Sequence, residues 1–542
     1  MALSSEAREE QAERELGRTE IRRGLAAALV AVFLLSLLPV AGLQLARRPP
    51  DPAPLLAGLP SACTLHRFER GLEDDSIVGG WLLPRLQAFY TGTFGLGNEQ
   101  VYTGRDGSLY YRPDVDYVIG PDFLNGDVLE RRRHGGDACE GPPQPDPVVA
   151  IAGLAEALAA RGIRLVALPT PVKPVVEPQR FARRRVAPPV ENGSFDDFVR
   201  ALGAQDVVVL DPTALLGPDS YLATDTHWRP EAVERVAVAL ADRLVDMSVL
   251  ATSSDGGFVR APARARHYGD LVLQLGLPRG QTLYAPEEVT LETVLHDGAP
   301  WRPTRGAEVL LLGDSFSNMY SDAAAFRSDR LGEGFSWGEG AGLAEQLAFA
   351  LGRPVDRIVR NAGGAYAARA DLAREVAREA EAGRDRLAGV RVVVWQFAVR
   401  ELAEGDWREI GLAPPPASPS AAPAAEAVAG AVEVVATLAA RAEAPRPGSG
   451  PYRDALIALH LRDVHAAPGG ASGVPSELLA YVFGLRDDAS TPLARIEPGA
   501  RVRLRLEPWD ADAVQRRVGS LNRAELDDLD LLALPAFFGE PR

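Results

Sequence analysis

The chain has little with which to build a metal centre or a disulfide scaffold, or to hold a polyanion. Cysteine occurs only twice in 542 residues, at Cys63 and Cys139. That excludes a disulfide-dense fold and any multi-cysteine zinc or iron–sulfur site. The seven histidines show no metal-ligand spacing, so no metal is expected. Positive charge is in deficit, with 58 Lys and Arg against 74 Asp and Glu. A general nucleic-acid binder needs a basic surface to displace phosphate counterions, so nucleic acid is not an expected partner. The two arginine clusters, 131–133 and 183–185, read as solvated charge runs. No phosphate-binding loop or dinucleotide fingerprint is present, and no cofactor is expected. Only one long apolar run occurs.

That run, Gly24 to Ala46, carries no charged residue and is long enough to cross a bilayer as a helix. Arg22 and Arg23 precede it, with a short tail before them, which favours a cytoplasmic N-terminus and the bulk of the chain outside. The reading is a single-pass inner-membrane anchor. A cleaved signal peptide is the alternative, but the n-region is long and Pro39-Val40-Ala41 is a poor cleavage site. Outside the cytoplasm, Cys63 and Cys139 are candidates for one disulfide; two separate buried thiols are equally open.

Composition divides the chain into a tail (1–23), the anchor (24–46), a Pro-rich stalk (47–90), a globular body (91–412), an Ala/Pro linker with an Ala-rich helical piece (413–450) and a small module (451–542). In the body, short apolar runs alternate with helical patterns. Ile163–Leu168, Val207–Leu210, Val309–Leu312, Ile358–Val359 and Val392–Trp395 read as buried strands, and Pro147–Arg161 and Pro230–Val245 as helices between them. This is the pattern of an α/β fold, a parallel sheet with helices on both faces. In the last module, Arg501 to Leu506 alternates arginine with apolar residues, as a half-buried strand does. The module reads as a small β-rich domain, a barrel or sandwich with OB type among the options.

In open parallel sheets, ligands sit at the carboxyl ends of the strands. Gly313-Asp314-Ser315 follows one such strand, and a serine there presents its own N–H to a developing oxyanion. A strand-ending turn that caps a helix is the competing reading. Asp225-Thr226-His227 places a carboxylate and an imidazole on the same face of an extended segment, the arrangement of an orienter and a base. Asn361 and Gly363, after another strand, are oxyanion donor candidates. Tyr366 and Arg400 are candidates for substrate contact, each with a plain packing or ion-pair alternative.

Together these pieces resemble the AlgX/AlgJ family of SGNH-hydrolase-like polysaccharide (alginate) O-acetyltransferases. The resemblance covers roughly residues 98 to 410. It is carried, in order, by Gly104-Arg105-Asp106-Gly107, Leu168 to Pro174, Asp225 to Trp228, Tyr268-Gly269-Asp270-Leu271, Gly313 to Ser317 and Trp395 to Glu401. As in that family, and unlike ordinary SGNH hydrolases, the Asp-x-His motif precedes the serine. The resemblance implies Ser315 as nucleophile, His227 as base and Asp225 as its orienter, with Lys173 joining Tyr366 and Arg400 near the substrate. It also implies an extracytoplasmic enzyme that moves acetyl from a donor to a polysaccharide through an acetyl-serine, working beside a membrane-bound acyltransferase. The last module does not resemble the carbohydrate-binding module of the alginate proteins. The acidic balance leaves another exopolysaccharide as open as alginate. A carbohydrate esterase, a non-catalytic polysaccharide-binding scaffold and a metal-dependent hydrolase using Asp225 and His227 are the other readings.

Overall fold

A computed structural model of the chain describes residues 22–47, 59–74, 76–135, 143–181, 187–250, 257–323, 326, 335–416, 431–445, 447, 452–467 and 473–542, apart from single positions 488, 520, 527 and 532. The chain divides into two compact units, Met1–Leu83 and Pro84–Arg542. In the first, the charge-free run forms the helix Arg23–Arg47, and Ala62–Asp74 forms a second helix. Among the described residues no helix is long and apolar enough to cross a membrane, and the side chains of residues 35–41 lie outside the description. The expected stalk is helical in part: Ala62–Asp74 and most of the helix Ile77–Phe94 fall inside it. Cys139 and the arginines at 183–185 lie outside the described residues.

The second unit opens with a hairpin, β1 (Val101–Thr103) and β2 (Leu109–Tyr111). Its central sheet takes β3 (Arg164–Thr170) and β4 (Val208–Val209). A three-stranded antiparallel sheet follows in the chain: β5 (Phe258–His267), β6 (Glu287–His296) and β7 (Ala299–Pro300). The central sheet is completed by β8 (Val309–Gly313), β9 (Asp356–Val359) and β10 (Val392–Ala398). Its order is β4-β3-β10-β8-β9, with every pairing parallel. All residues of β8 and β10 are buried. Successive side chains of a strand point to opposite faces, so both faces of the sheet are covered, which is why these strands read as unbroken apolar runs. The β5–β7 sheet was not anticipated. Its apolar positions are diluted by Arg, Pro and Glu, which hides the alternation.

The last part of the chain is a closed β-barrel. Its strands are β11 (Val432–Arg441), β12 (Ala455–Ala466), β13 (Leu478–Arg486), β15 (Arg501–Pro508) and β17 (Ala536–Pro541), with short β14 (Ala489–Ser490) and β16 (Asn522–Ala524) at the margins. Pairing runs β11-β12-β13-β17-β15 and back to β11, parallel only between β13 and β17. In β15, Val502, Leu504 and Leu506 turn inward and the arginines outward, as the alternation required. The barrel begins earlier than expected: Val432–Arg441, read as part of a linker, is its first strand. Val and Thr favour an extended chain, and burial alternates along the segment.

The barrel is joined to the α/β body by buried charge. Arg523, in β16, bonds Asp371 at 2.7 Å and Glu525 at 2.6 Å. Arg360, just past β9, bonds the same Asp371 at 2.9 Å and Glu525 at 3.0 Å. Arg374 also pairs with Asp371. Removing one member of such a cluster strands a charge away from water. Three guanidiniums here share two carboxylates, so Asp371→Ala, which would leave all three on Glu525 alone, is expected to lower unfolding free energy by about 3–5 kcal/mol, measured by urea denaturation; a change below about 0.5 kcal/mol would show that the cluster holds nothing.

Candidate active site

Three strand ends converge on Ser315. Gly313 closes β8, and a Cβ there would lie 2.4 Å from the Ser317 hydroxyl, so only glycine fits. Asp314 caps the turn that follows: its carboxylate accepts from Phe316 N at 2.8 Å and from Ala398 N, at the end of β10, at 3.1 Å. Gln396 of β10 ties the rest. Its amide oxygen accepts from Ser317 Oγ (2.7 Å) and Asp314 N (3.1 Å), and its nitrogen donates to Thr170 Oγ1 of β3 (3.1 Å). Ser315 thus begins a short helix, Ser315–Asn318, whose first N–H groups have no helical partner.

The Asp225–Trp228 segment is locked onto this turn. Trp228 Nε1 donates to Phe316 O at 3.0 Å, and the Tyr320 hydroxyl donates to Trp228 O at 2.7 Å. His227 Nδ1 lies 2.6 Å from Asp225 Oδ1, and an ionised carboxylate only accepts, which assigns the proton to Nδ1. Asp225 also accepts from His227 N (3.0 Å), Asp270 N (2.9 Å) and Trp337 Nε1 (3.0 Å). Burial pushes its carboxyl up, but the imidazole and these donors outweigh burial and hold it well below the usual carboxylate range. Burial pulls His227 down while Asp225 pulls it up, and the net shift is upward.

His227 Nε2 is buried and has no hydrogen-bond partner among the described residues. Ser315 and His227 line the same cavity, of about 590 Å³, together with Gly363, Tyr366 and Arg400. Tyr452, from the β11–β12 connection, lines it too. Arg400 is held by buried Asp114 at 2.8 Å. Asn361 is buried outside the cavity lining, and its amide oxygen accepts from Asn318 Nδ2 at 3.1 Å. The Gly363 N–H goes to Arg360 O at 3.3 Å. Lys173 is not at the cavity: its ammonium donates to the carbonyls of Leu109, Leu222 and Ala223 at 2.7–2.8 Å, a structural clamp that corrects its reading as a substrate contact.

Asp270 has a place that sequence reasoning did not assign it. Its carboxylate accepts from Thr226 N (2.8 Å) and Thr226 Oγ1 (2.6 Å) and lies 3.8 Å from His227 Nδ1. Burial and the neighbouring Asp225 charge raise it to about 7. Gly269 makes this possible: φ is +83°, and a Cβ would lie 2.2 Å from Thr224 O. Asp225, His227 and Asp270 offer ligand-type atoms within 4.8 Å of one another. The carboxylate oxygens already accept from protein N–H and O–H donors, an arrangement that suits an oriented imidazole.

In Asp225→Asn the His227 ring loses its main positive shift. The ring is expected to titrate above its ordinary 6.5 in the native chain and lower in the variant, as followed by nitrogen chemical shifts of the imidazole; identical titration curves would refute the coupling.

Comparison with known proteins matches residues 137–399 to the family model described as SGNH hydrolase-like domain, acetyltransferase AlgX. The chain is 26% identical over 258 residues to the probable alginate O-acetylase AlgJ of Pseudomonas aeruginosa, covering 45% of this chain and 63% of that protein. It is 30% identical over 156 residues to the protein of the same name from Pseudomonas fluorescens, covering 27% and 39%. It thus spans less than two thirds of the curated relatives it matches. Among solved structures, it is similar to the O-acetyltransferase domain of Pseudomonas putida AlgJ, at 22% identity and a TM-score of 0.39, covering 56% of this chain and 92% of that one. It is similar also to Pseudomonas aeruginosa AlgX, at 15% identity and a TM-score of 0.37, covering 66% and 75%. Residues 137–399, somewhat less than half of the chain, are thus a domain of the AlgX/AlgJ type found in SGNH-hydrolase-like alginate O-acetyltransferases.

Proposed function

We propose that the chain is an extracytoplasmic O-acetyltransferase acting on an exopolysaccharide, with Ser315 as nucleophile, His227 as base and Asp225 as the group that orients it. One observation carries the reading: His227, fixed through Nδ1 by an ionised Asp225, leaves an unpartnered Nε2 at the cavity that Ser315 also lines. An imidazole so held is a base with its lone pair turned to the reaction.

In the first step Ser315 Oγ attacks the carbonyl carbon of an acetyl donor. His227 Nε2 takes the serine proton and passes it to the departing group. In the second, a sugar hydroxyl attacks the acetyl-serine, its proton goes to His227, the bond to Oγ breaks and the proton returns to Oγ. The Ser315 N–H, at the head of its helix, is the best oxyanion contact, since the Gly363 N–H is engaged by Arg360 O and Asn361 lies outside the cavity lining. Tyr366 and Arg400 line the cavity where an acceptor would lie. Water in place of the sugar gives an esterase. The names of the curated relatives point to alginate, and the acidic balance of this chain to a wider choice of polysaccharide.

The charge-free run 24–46 supports a membrane anchor, and the family resemblance a membrane-bound acyltransferase that supplies acetyl groups. Barrel strand order, with one parallel pair closing an antiparallel ring, supports an OB-like module. A non-catalytic scaffold draws on one fact, that His227 Nε2 makes no hydrogen bond to Ser315.

Ser315→Ala is expected to lower turnover of p-nitrophenyl acetate at least about a thousandfold while the melting temperature holds, and the native chain to yield an acetylated Ser315 peptide by mass spectrometry. Full activity in the variant would favour the scaffold. Because a base must be neutral and His227 is shifted upward, kcat/KM should fall as pH drops through a value above 6.5; an inflection below 6.5 would remove His227 from the role.

A further inference from the structure

The cavity that Ser315 and His227 share is unbalanced in charge. Among the described residues that line it, Asp270, Asp314, Glu401, Glu404 and Asp406 stand against one fixed cation, Arg400. That cation is already neutralised. Its guanidinium donates to buried Asp114 at 2.8 Å and has Glu401 at 3.7 Å. The barrel's share of the wall, Pro445, Tyr452, Ala455, Leu485 and Asn522, carries no charge.

Four of the carboxylates are engaged in holding the fold. Asp314 accepts from Phe316 N and Ala398 N, and Asp270 from Thr226. Glu401 accepts from Ala365 N at 3.1 Å, and Asp406 pairs with Arg408. Glu404 differs: among the described residues, no hydrogen bond or ion pair holds its side chain. The buried, unpartnered Nε2 of His227 marks where an accepting hydroxyl must arrive, so the sugar that carries it lies within this acidic lining.

An anionic sugar entering here would meet no free cation among the lining residues and one unpaired carboxylate. Like charges brought together at a binding surface cost affinity steeply. A neutral sugar brings hydroxyls that can donate to carboxylates. Its ring faces suit the apolar bodies of Tyr111, Tyr366 and Tyr452, which also line the cavity.

We infer that the acceptor is a neutral glycan, and that Glu404 turns anionic sugars away and receives a hydroxyl of neutral ones. This rests on the serine reading above and narrows its substrate. Alginate, to which the names of the curated relatives point, is a polymer of uronates and falls on the rejected side.

The test uses the full chain, p-nitrophenyl acetate as donor, and two acceptors of equal length, a β-mannan and a β-mannuronate oligosaccharide. Their sugar units differ only in a hydroxymethyl group where the second has a carboxylate. Ser315 takes the acetyl group with release of p-nitrophenol. The sugar hydroxyl then takes it from Ser315, its proton passing through His227 to Oγ. The assay runs at pH 8, above the value of about 7 to which desolvation, with a neighbouring carboxylate, raises both Glu404 and Asp270. Acetylated product is counted by mass spectrometry. The neutral acceptor is expected to be favoured in kcat/KM by about tenfold or more. In Glu404→Gln, at an unchanged melting temperature, that ratio should narrow by at least about threefold. Equal or better use of mannuronate, use of neither sugar, or an unchanged ratio in Glu404→Gln overturns the inference. The serine reading is judged apart, by Ser315→Ala with the donor alone: an inactive variant sustains it whatever the acceptor result. An active variant ends that reading, and this inference with it.

Discussion

Asp225 accepts four N–H groups, two from His227 and one each from Asp270 and Trp337. Asp270 and Trp337 lie far from it in sequence, so the carboxylate is the knot where three stretches of chain meet. A buried carboxylate without donors would take up a proton and lose its hold on the ring. With four it stays ionised, and the imidazole has one orientation. The position of Nε2, the shape of the cavity behind it and the place of Trp228 against the serine turn follow from that single anion.

The serine end rests on a comparable economy. Gln396 reaches three strands of the sheet through one amide, and Asp314 both caps the Ser315 helix and bonds the end of β10. Ser315 stands on rigid strand ends, and His227 on a segment bolted to the same turn by Trp228 and Tyr320. Such support would hold the proposed nucleophile and base in register.

How much of this was legible depended on the range of the interactions. The central strands showed in the sequence because burial on both faces forces unbroken apolar runs. Asp225 and His227 showed because their spacing is local, and Ser315 because Gly313 and Asp314 mark a strand end. Asp270 stood within a noticed motif, yet its role arises only when the Gly269 bend brings it to Thr226. Tyr452 carried no signal at all: it is a lone tyrosine beyond an Ala/Pro stretch, and nothing near it in sequence points to a cavity shared with a serine 137 positions earlier. Lys173 misled in the opposite way. A lysine within a family-like motif suggests a substrate anion, but three backbone carbonyls consume all of its donors. The strand Val432–Arg441 was obscured by its alanines, which suit a helix as readily as a barrel wall.

The buried charges around Asp371 bear on motion. Arg360 and Arg374 belong to the α/β body and Arg523 to the barrel, and each reaches Asp371 away from water. Swinging the barrel outward would separate these ions before water could replace them, so a hinge between the two halves is steeply opposed. Access to Ser315 is then a matter of short-range breathing in the connections at the rim, and a ligand must fit a cavity of nearly fixed width rather than be swallowed by a closing jaw.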